Sequence, residues 1–181
     1  ETLKLLQEKM AGKDVLVIAP GPSVVSKREE IEQRIAQEDM TVVCANFNSD
    51  NISSDYRFFS NAQRYEDYCD GNQDEGCIIT SNLIHAGGTN DMIVNYADLA
   101  FDGDDVFDNC VIMLLRLLVR LECKKVYLAG FDGYVPGGRN YVKRYMRSKH
   151  EKNEYENTVI RQHLERIYGK LEIEFLTPSL Y

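Results

Sequence analysis

Polar and glycine residues follow four β-like segments of this sequence, at the points where those segments end. The four strand ends are Pro20-Gly21-Pro22-Ser23, Asn46-Phe47, Ser60-Asn61 and Gly130-Phe131-Asp132-Gly133-Tyr134. Because the carboxyl ends of parallel strands lie along one edge of a sheet, we expect these groups to converge on one rim. Open parallel sheets bind their ligands at this rim.

Each of these residue types suits the binding of a nucleotide or another phosphorylated ligand. Gly21 would let a ligand approach the backbone closely. Ser23 suits the N-cap of a following helix, whose free N–H groups favour an anion. Asn46 and Asn61 can both donate and accept, as recognition of a base or ribose edge requires, and Asp132 can accept from sugar hydroxyls. The alternative is that all of them are ordinary turn-forming residues.

A segment without acidic residues, 133–150, lies in a chain whose formal net charge is −8. Its cations are Arg139, Lys143, Arg144, Arg147 and Lys149, with Tyr141 and Tyr145 between them. The basic part follows Pro136-Gly137-Gly138, and we predict that it closes over an anionic ligand as a lid. A solvated helix face or a mobile loop is the alternative.

Composition argues against several other classes of protein. The acidic net charge disfavours general nucleic-acid binding and binding to anionic membranes, and no apolar run is long enough to span a bilayer. Five cysteines without a C-x-x-C pair predict buried thiols in a reducing, cytoplasmic compartment, not a disulfide frame or a zinc site. The G-x-G-x-x-G and P-loop patterns are absent, and nothing in the sequence requires a metal.

Strand and helix patterns alternate along the chain. Strands are predicted at 14–19, 41–46, 56–61, 77–82, 124–132 and 171–178, and helices at 24–38, 109–121 and 153–168. Residues 92–99 are ambiguous between strand and loop, and 98–108 should be a solvated loop ending in a helix cap at Asp108. The pattern predicts a single α/β domain over 1–181, a Rossmann-like three-layer sandwich with a mostly parallel sheet. We interpret residues 1–12 as a linker helix from a preceding domain.

Several of these motifs resemble, in order, those of bacterial CMP-sialic-acid-dependent sialyltransferases. They are "IAPGPS", "CANF", Ser60-Asn61, "VYLAGFDGY" and Tyr141, and they also resemble the Rossmann-like domain of hydroxymethylpterin diphosphokinase-type proteins. Pro20 stands where the sialyltransferases have an asparagine that contacts the nucleotide.

The resemblance implies a role for each matching residue. Gly21, Pro22 and Ser23 would form the first nucleotide-contact loop, and Asn46 and Asn61 would contact the nucleotide. Asp132 would lie near the ribose, while Tyr134 and Tyr141 would bind the phosphate through their hydroxyls. His150 falls near the general-base histidine of the family, where a neutral imidazole could take the proton of an acceptor hydroxyl.

A second resemblance covers longer stretches. "GKDVLVIAPGPSV" and "TVVCANFNSDNISSDYRFFSNAQRYE" are similar to the segment that follows the barrel in hydroxymethylglutaryl-CoA-lyase-like proteins of the 4-hydroxy-2-oxovalerate aldolase-like group. This resemblance implies an accessory C-terminal domain, joined covalently to an N-terminal catalytic domain. The H-x-H metal pair and the D-R-E motif of the lyases are absent from this sequence, so lyase chemistry is not expected of it.

Three functions remain open at this point. The first is a binding module for a nucleotide, a sugar nucleotide or another phosphorylated ligand. The second is a glycosyltransferase that uses a CMP-sugar donor with His150 as base, and the third is a structural or oligomerising domain with a vestigial pocket. The ligand-binding set predicted for the first comprises Gly21, Pro22, Ser23, Asn46, Phe47, Asn61, Gly130, Asp132, Tyr134, Arg139, Tyr141, Lys143, Arg144 and Tyr145.

Overall fold

The computed structural model describes residues 1–70, 76–84, 88, 90–143, 146 and 153–181. Its strands are β1 (Asp14–Ile18), β2 (Met40–Ala45), β3 (Tyr56–Phe59), β4 (Ile78–Thr80), β5 (Met92–Val94), β6 (Phe101–Asp102), β7 (Asp105–Val106), β8 (Lys125–Ala129) and β9 (Glu172–Phe175). Its helices are α1 (Thr2–Met10), α2 (Ser23–Ser26), α3 (Arg28–Gln37), α4 (Ala62–Cys69), α5 (Tyr96–Ala100), α6 (Cys110–Arg120) and α7 (Asn153–Tyr168), with a 3₁₀ turn at Ser81–Leu83.

Seven of these strands form one sheet in the order β5-β4-β3-β2-β1-β8-β9. Every neighbouring pair in it is parallel. The register of β1 aligns Ile18 with Cys44 of β2 and with Ala129 of β8, so these three strands end at the same level. Strands β6 and β7 form a separate antiparallel hairpin.

Helices cover both faces of the sheet, because the central strands are apolar on both sides. In β1, Val15 and Val17 belong to the larger core with α6 and α7, whereas Leu16 and Ile18 pack in a second core with Ile31 of α3. Helix α6 buries seven apolar side chains and lies at the centre of the larger core. The predicted fold class, an α/β Rossmann-like three-layer sandwich, is confirmed.

The helix predicted at 24–38 is wrong as a single element. Lys27 has φ −113° and ψ 17°, which ends α2 before α3 begins. Val24 of α2 and Ile31 of α3 both pack in the second core, and Val24 also lies against Gly130.

The segment before α6 also differs from its prediction. The ambiguous residues 92–99 form β5 and most of α5, which Asn95 caps. Residues 98–108 are not a plain loop, because they contain the β6–β7 hairpin. The cap of α6 is Asn109, not Asp108: its Oδ1 accepts from the N–H groups of Val111 and Ile112 at 3.1 and 3.2 Å.

Helix α1 packs into the domain through its apolar face, since Leu6 and Met10 are buried in the larger core. A further domain before residue 1 stays a prediction. Within the described part of the chain, no helix is both long enough and apolar enough to cross a membrane. The five cysteines are all free: Cys44, Cys77 and Cys123 are buried, and the other two are partly exposed.

Candidate functional site

A cleft of about 360 Å³ opens at the carboxyl ends of the central strands. From β1 the chain moves outward through β2, β3, β4 and β5, then returns to place β8 on the other side of β1. The strand order therefore reverses between β1 and β8. The loops that follow both strands line the cleft, so it lies at the topological switch point, where open α/β sheets bind ligands.

Half of the predicted ligand-binding residues line this cleft. They are Gly21, Asn46, Asn61, Gly130, Asp132, Tyr134 and Tyr141. Five others, Pro22, Ser23, Phe47, Arg139 and Lys143, are described but are not part of its lining. Arg144, Tyr145 and the predicted catalytic residue His150 lie outside the described residues.

Ser23 is hydrogen-bonded to Asp132 and does not cap the helix that follows it. Its backbone N–H donates to Asp132 Oδ2 at 2.8 Å, and its hydroxyl donates to Oδ1 of the same carboxylate. The N-cap of α2 is Pro22, so the prediction of a Ser23 cap is wrong. The carboxylate of Asp132 therefore takes the N–H that a phosphate at this helix start would use.

Gly21 and Gly130 let the loops after β1 and β8 interlock. A Cβ on Gly21 would stand 2.6 Å from Asp132 Cγ and would also collide with the Gly130 carbonyl. Gly130 has φ +72°, and a Cβ there would collide with the Ala19 carbonyl and with Val24. Backbone N–H of Gly21 donates to the Gly130 carbonyl at 2.8 Å. Contact with the neighbouring loop is therefore enough to account for glycine at position 21.

The two predicted asparagines use their side-chain acceptors within the fold. Asn46 has φ 57°, a left-handed conformation that asparagine tolerates, and its Oδ1 accepts from the Ser60 N–H at 3.1 Å. Asn61 caps α4, with Oδ1 accepting from the Arg64 N–H at 3.1 Å. Among the contacts of the described residues, neither Nδ2 group donates, so each amide keeps two donors for a ligand.

Tyr134 and Tyr141 form a hydroxyl pair in the cleft wall. Their oxygens lie 3.2 Å apart, and their rings meet edge to face with centroids 6.2 Å apart. The side chain of Asn157 in α7 fixes the backbone of Tyr134 through two hydrogen bonds: its Oδ1 accepts from the Tyr134 N–H, and its Nδ2 donates to the Tyr134 carbonyl. Burial, and then the nearby Tyr141 hydroxyl, raises the pKa of Tyr134. The Tyr134 hydroxyl therefore stays protonated at neutral pH.

Tyr181 also lines the cleft, and the sequence analysis missed it. The chain after β9 returns to the switch point, where Thr177 Oγ1 accepts from the Gly130 N–H at 2.9 Å. The Leu180 N–H donates to the Asp132 carbonyl at 2.9 Å, and the Tyr181 ring packs on Phe131. No local pattern in the sequence marks this return.

The described part of the basic segment is bound to the domain. The Val142 N–H donates to the Pro20 carbonyl at 2.8 Å. Arg139 bonds the carbonyls of Tyr141 and Val142, and Lys143 pairs with Asp50 at 2.9 Å. These two cations therefore serve local contacts. The charged side chains that line the cleft in the described chain are Arg64, Asp108, Asp132 and Glu156.

Cys110 lines the cleft at the start of α6, but its thiol is not activated. Burial raises its pKa to about 12, so it is a thiol at neutral pH and a poor nucleophile. Within the described ranges, no group of three or more His, Cys, Asp or Glu side chains could hold a metal ion.

No protein-family model matches this sequence, and no curated protein is significantly similar to it.

The charged lining residues that the sequence analysis missed lie outside the four predicted strand ends. Arg64 and Glu156 lie on α4 and α7, and Phe107 and Asp108 precede α6. The one available signal was position, since Arg64 is three residues after the predicted contact Asn61.

Proposed function

We propose that this domain is a binding module for a small ligand with a nucleoside core, such as a nucleotide, a sugar nucleotide or a related phosphorylated compound. The observation that carries the proposal is the convergence of Gly21, Asn46, Asn61, Asp132 and Tyr141 on one cleft at the topological switch point. Its volume, about 360 Å³, lies within the range of small-molecule sites.

The lining offers complementary groups for the parts of such a ligand. The Nδ2 groups of Asn46 and Asn61 are donors for the carbonyl oxygens of a base, and the Tyr141 hydroxyl, 3.2 Å from that of Tyr134, is a polar group for a sugar or phosphate oxygen. A phosphate, where the ligand has one, would be placed toward Arg64 and away from Asp132. In this proposal the module serves an N-terminal catalytic domain, as the aldolase-like resemblance implies.

The proposal is tested by calorimetric titration with cytidine, CMP, CDP, UDP, ATP and CoA, followed by Asn61→Asp with the ligand that binds most tightly. Aspartate keeps the cap on α4 but replaces the Nδ2 donors with an acceptor. Loss of one hydrogen bond should weaken binding about tenfold.

The matched control is Asn95→Asp. Asn95 caps α5 in the same way, through an Oδ1 that accepts from the Ala97 N–H, but it is not part of the cleft lining. It adds the same charge, so it should leave the affinity within about twofold. Equal losses in the two variants, or no binding of any compound, would contradict the proposal. The second outcome would favour a structural domain with a vestigial pocket.

A glycosyltransferase that uses a CMP-sugar donor is the second candidate. The observation that favours it is the contact between the Tyr134 and Tyr141 hydroxyls in the cleft. The sialyltransferase resemblance implies that these two hydroxyls bind the phosphate of the sugar donor. The test is His150→Ala, assayed for sugar transfer and for CMP binding. Loss of transfer with retained binding would support this activity, and the absence of transfer by the unmodified domain would exclude it.

A further inference from the structure

A buried histidine contacts one wall of the cleft from behind. His163 of α7 is 5% exposed, and its ring stacks on Phe107 with centroids 4.4 Å apart and planes 5° from parallel. His163 Nδ1 lies 3.0 Å from Nη2 of Arg116 on α6. Because a guanidinium only donates, Nδ1 must accept, and the imidazole is neutral with its proton on Nε2.

Arg116 fixes both ends of the β6–β7 hairpin. Its Nη1 donates to the carbonyls of Leu99 and Ala100 before the hairpin, at 2.7 and 3.2 Å, and to the carbonyl of Phe107 after it, at 3.3 Å. The hairpin itself pairs only two residues on each strand. Residues 107–109, which follow directly, line the cleft. The guanidinium that His163 orients therefore holds the backbone of the cleft wall.

Protonation would remove this arrangement. An imidazolium carries N–H on both nitrogens, so Nδ1 would face the Arg116 donor with a like charge 3.0 Å away. Among the described residues, the other charged groups around the ring are Arg166 of α7, which repels a cation, and Asp102 and Asp105 of the hairpin, which attract one. Burial first, and then Arg116 and Arg166, lowers the pKa of His163.

We propose that His163 is an acid-sensitive latch, which in its neutral form holds Arg116 on the β6–β7 hairpin and on protonation releases the hairpin and the cleft wall at 107–109. Folding favours the neutral form, so the contribution of His163 to stability is complete above its unfolded pKa of about 6.5. It is lost as the pH falls below that value toward the folded pKa. The latch does not depend on which ligand the cleft binds.

The test is hydrogen exchange of the backbone amides of 99–109 in the full chain, at about pH 7.5 and about pH 5. Two variants separate the properties of the ring. His163→Gln has an oxygen that can accept from Arg116 at either pH, and His163→Phe keeps an aromatic ring against Phe107 but cannot accept. Comparing variants at one pH cancels the intrinsic dependence of exchange on pH.

We expect the unmodified chain to match His163→Gln at about pH 7.5 and to exchange about tenfold faster than it at about pH 5. His163→Phe should exchange fast at both. An equal ratio of the unmodified chain to His163→Gln at the two pH values would overturn the latch.

A second measurement uses the unmodified chain alone, so it does not depend on whether a variant folds. The ring nitrogens of His163 can be titrated by NMR in the unmodified chain. The latch requires the Nε2–H tautomer at neutral pH and a pKa below the ordinary value. An Nδ1–H tautomer, or a pKa at or above about 6.5, would overturn it.

Discussion

Ser23 and Asp132 lie 109 residues apart in the chain, yet the N–H and the hydroxyl of Ser23 both donate to the Asp132 carboxylate. The contact joins the loop after β1 to the loop after β8, the two loops on either side of the switch point. It places a negative charge at the start of α2, where the dipole of backbone N–H groups favours an anion. An internal carboxylate thus fills the position at which the sequence predicted a phosphate.

Replacing Asp132 by alanine should destabilise the domain. Two hydrogen bonds to a carboxylate are lost, which we expect to cost about 2–3 kcal/mol and to lower Tm by about 4–12 °C in a calorimetric scan. The control is Asp50→Ala, which removes one exposed ion pair to Lys143 and should cost less than about 1 kcal/mol. Similar losses in the two variants would show that the loop contact adds nothing beyond a surface charge pair.

Adding one methyl group to Gly21 should also separate the interlocked loops. Gly21→Ala places a Cβ 2.6 Å from Asp132 Cγ, and we expect a loss of about 1–3 kcal/mol in chemical unfolding. Gly169→Ala is the matched control, because a Cβ there meets nothing within 4 Å, and it should change stability by less than about 1 kcal/mol. A neutral Gly21→Ala variant would mean that the loops can move apart freely.

Cys110 should react slowly with alkylating reagents although it lines the cleft. With its pKa raised to about 12, about one thiol in ten thousand is ionised at pH 8. In iodoacetamide labelling read by peptide mass spectrometry, Cys110 should label at least about tenfold more slowly than the partly exposed Cys69. Labelling of Cys110 as fast as Cys69 would indicate an activated nucleophile in the cleft.

The carboxylate of Glu174 on the edge strand gives a pH-dependent contribution to stability. The hydrogen bond from Lys125, at 2.7 Å, lowers the pKa of Glu174, so its contribution is present above the unfolded pKa and is lost as the pH falls through the folded value. Glu174→Gln should therefore cost most at neutral pH, at most about 1 kcal/mol because solvent and salt screen this partly exposed pair. The difference from the unmodified chain should shrink in acid unfolding curves below about pH 4.5; a difference that grows in acid would contradict the assignment.

Local patterns predict the sheet well because its central strands are continuous apolar runs. Val15, Leu16, Val17 and Ile18 are apolar on both faces, as a central parallel strand must be, and the polar residues after such strands fall on one rim. The sequence could not show that Ser23 bonds Asp132, since that pairing depends on how the loops pack. Nor could it show that Tyr181 returns to the cleft. Long-range contacts decided both.

The central claim, that the cleft binds a ligand with a nucleoside core, is tested most directly by mapping backbone amide resonances during titration with cytidine, CMP, CDP, UDP, ATP and CoA. The account predicts that at least one compound shifts the resonances of Gly21, Asn46, Gly130 and Tyr141 in a saturable way, while those of the edge strand β9 stay fixed. Absence of shifts with every compound, or saturable shifts confined to residues outside the cleft, would contradict it.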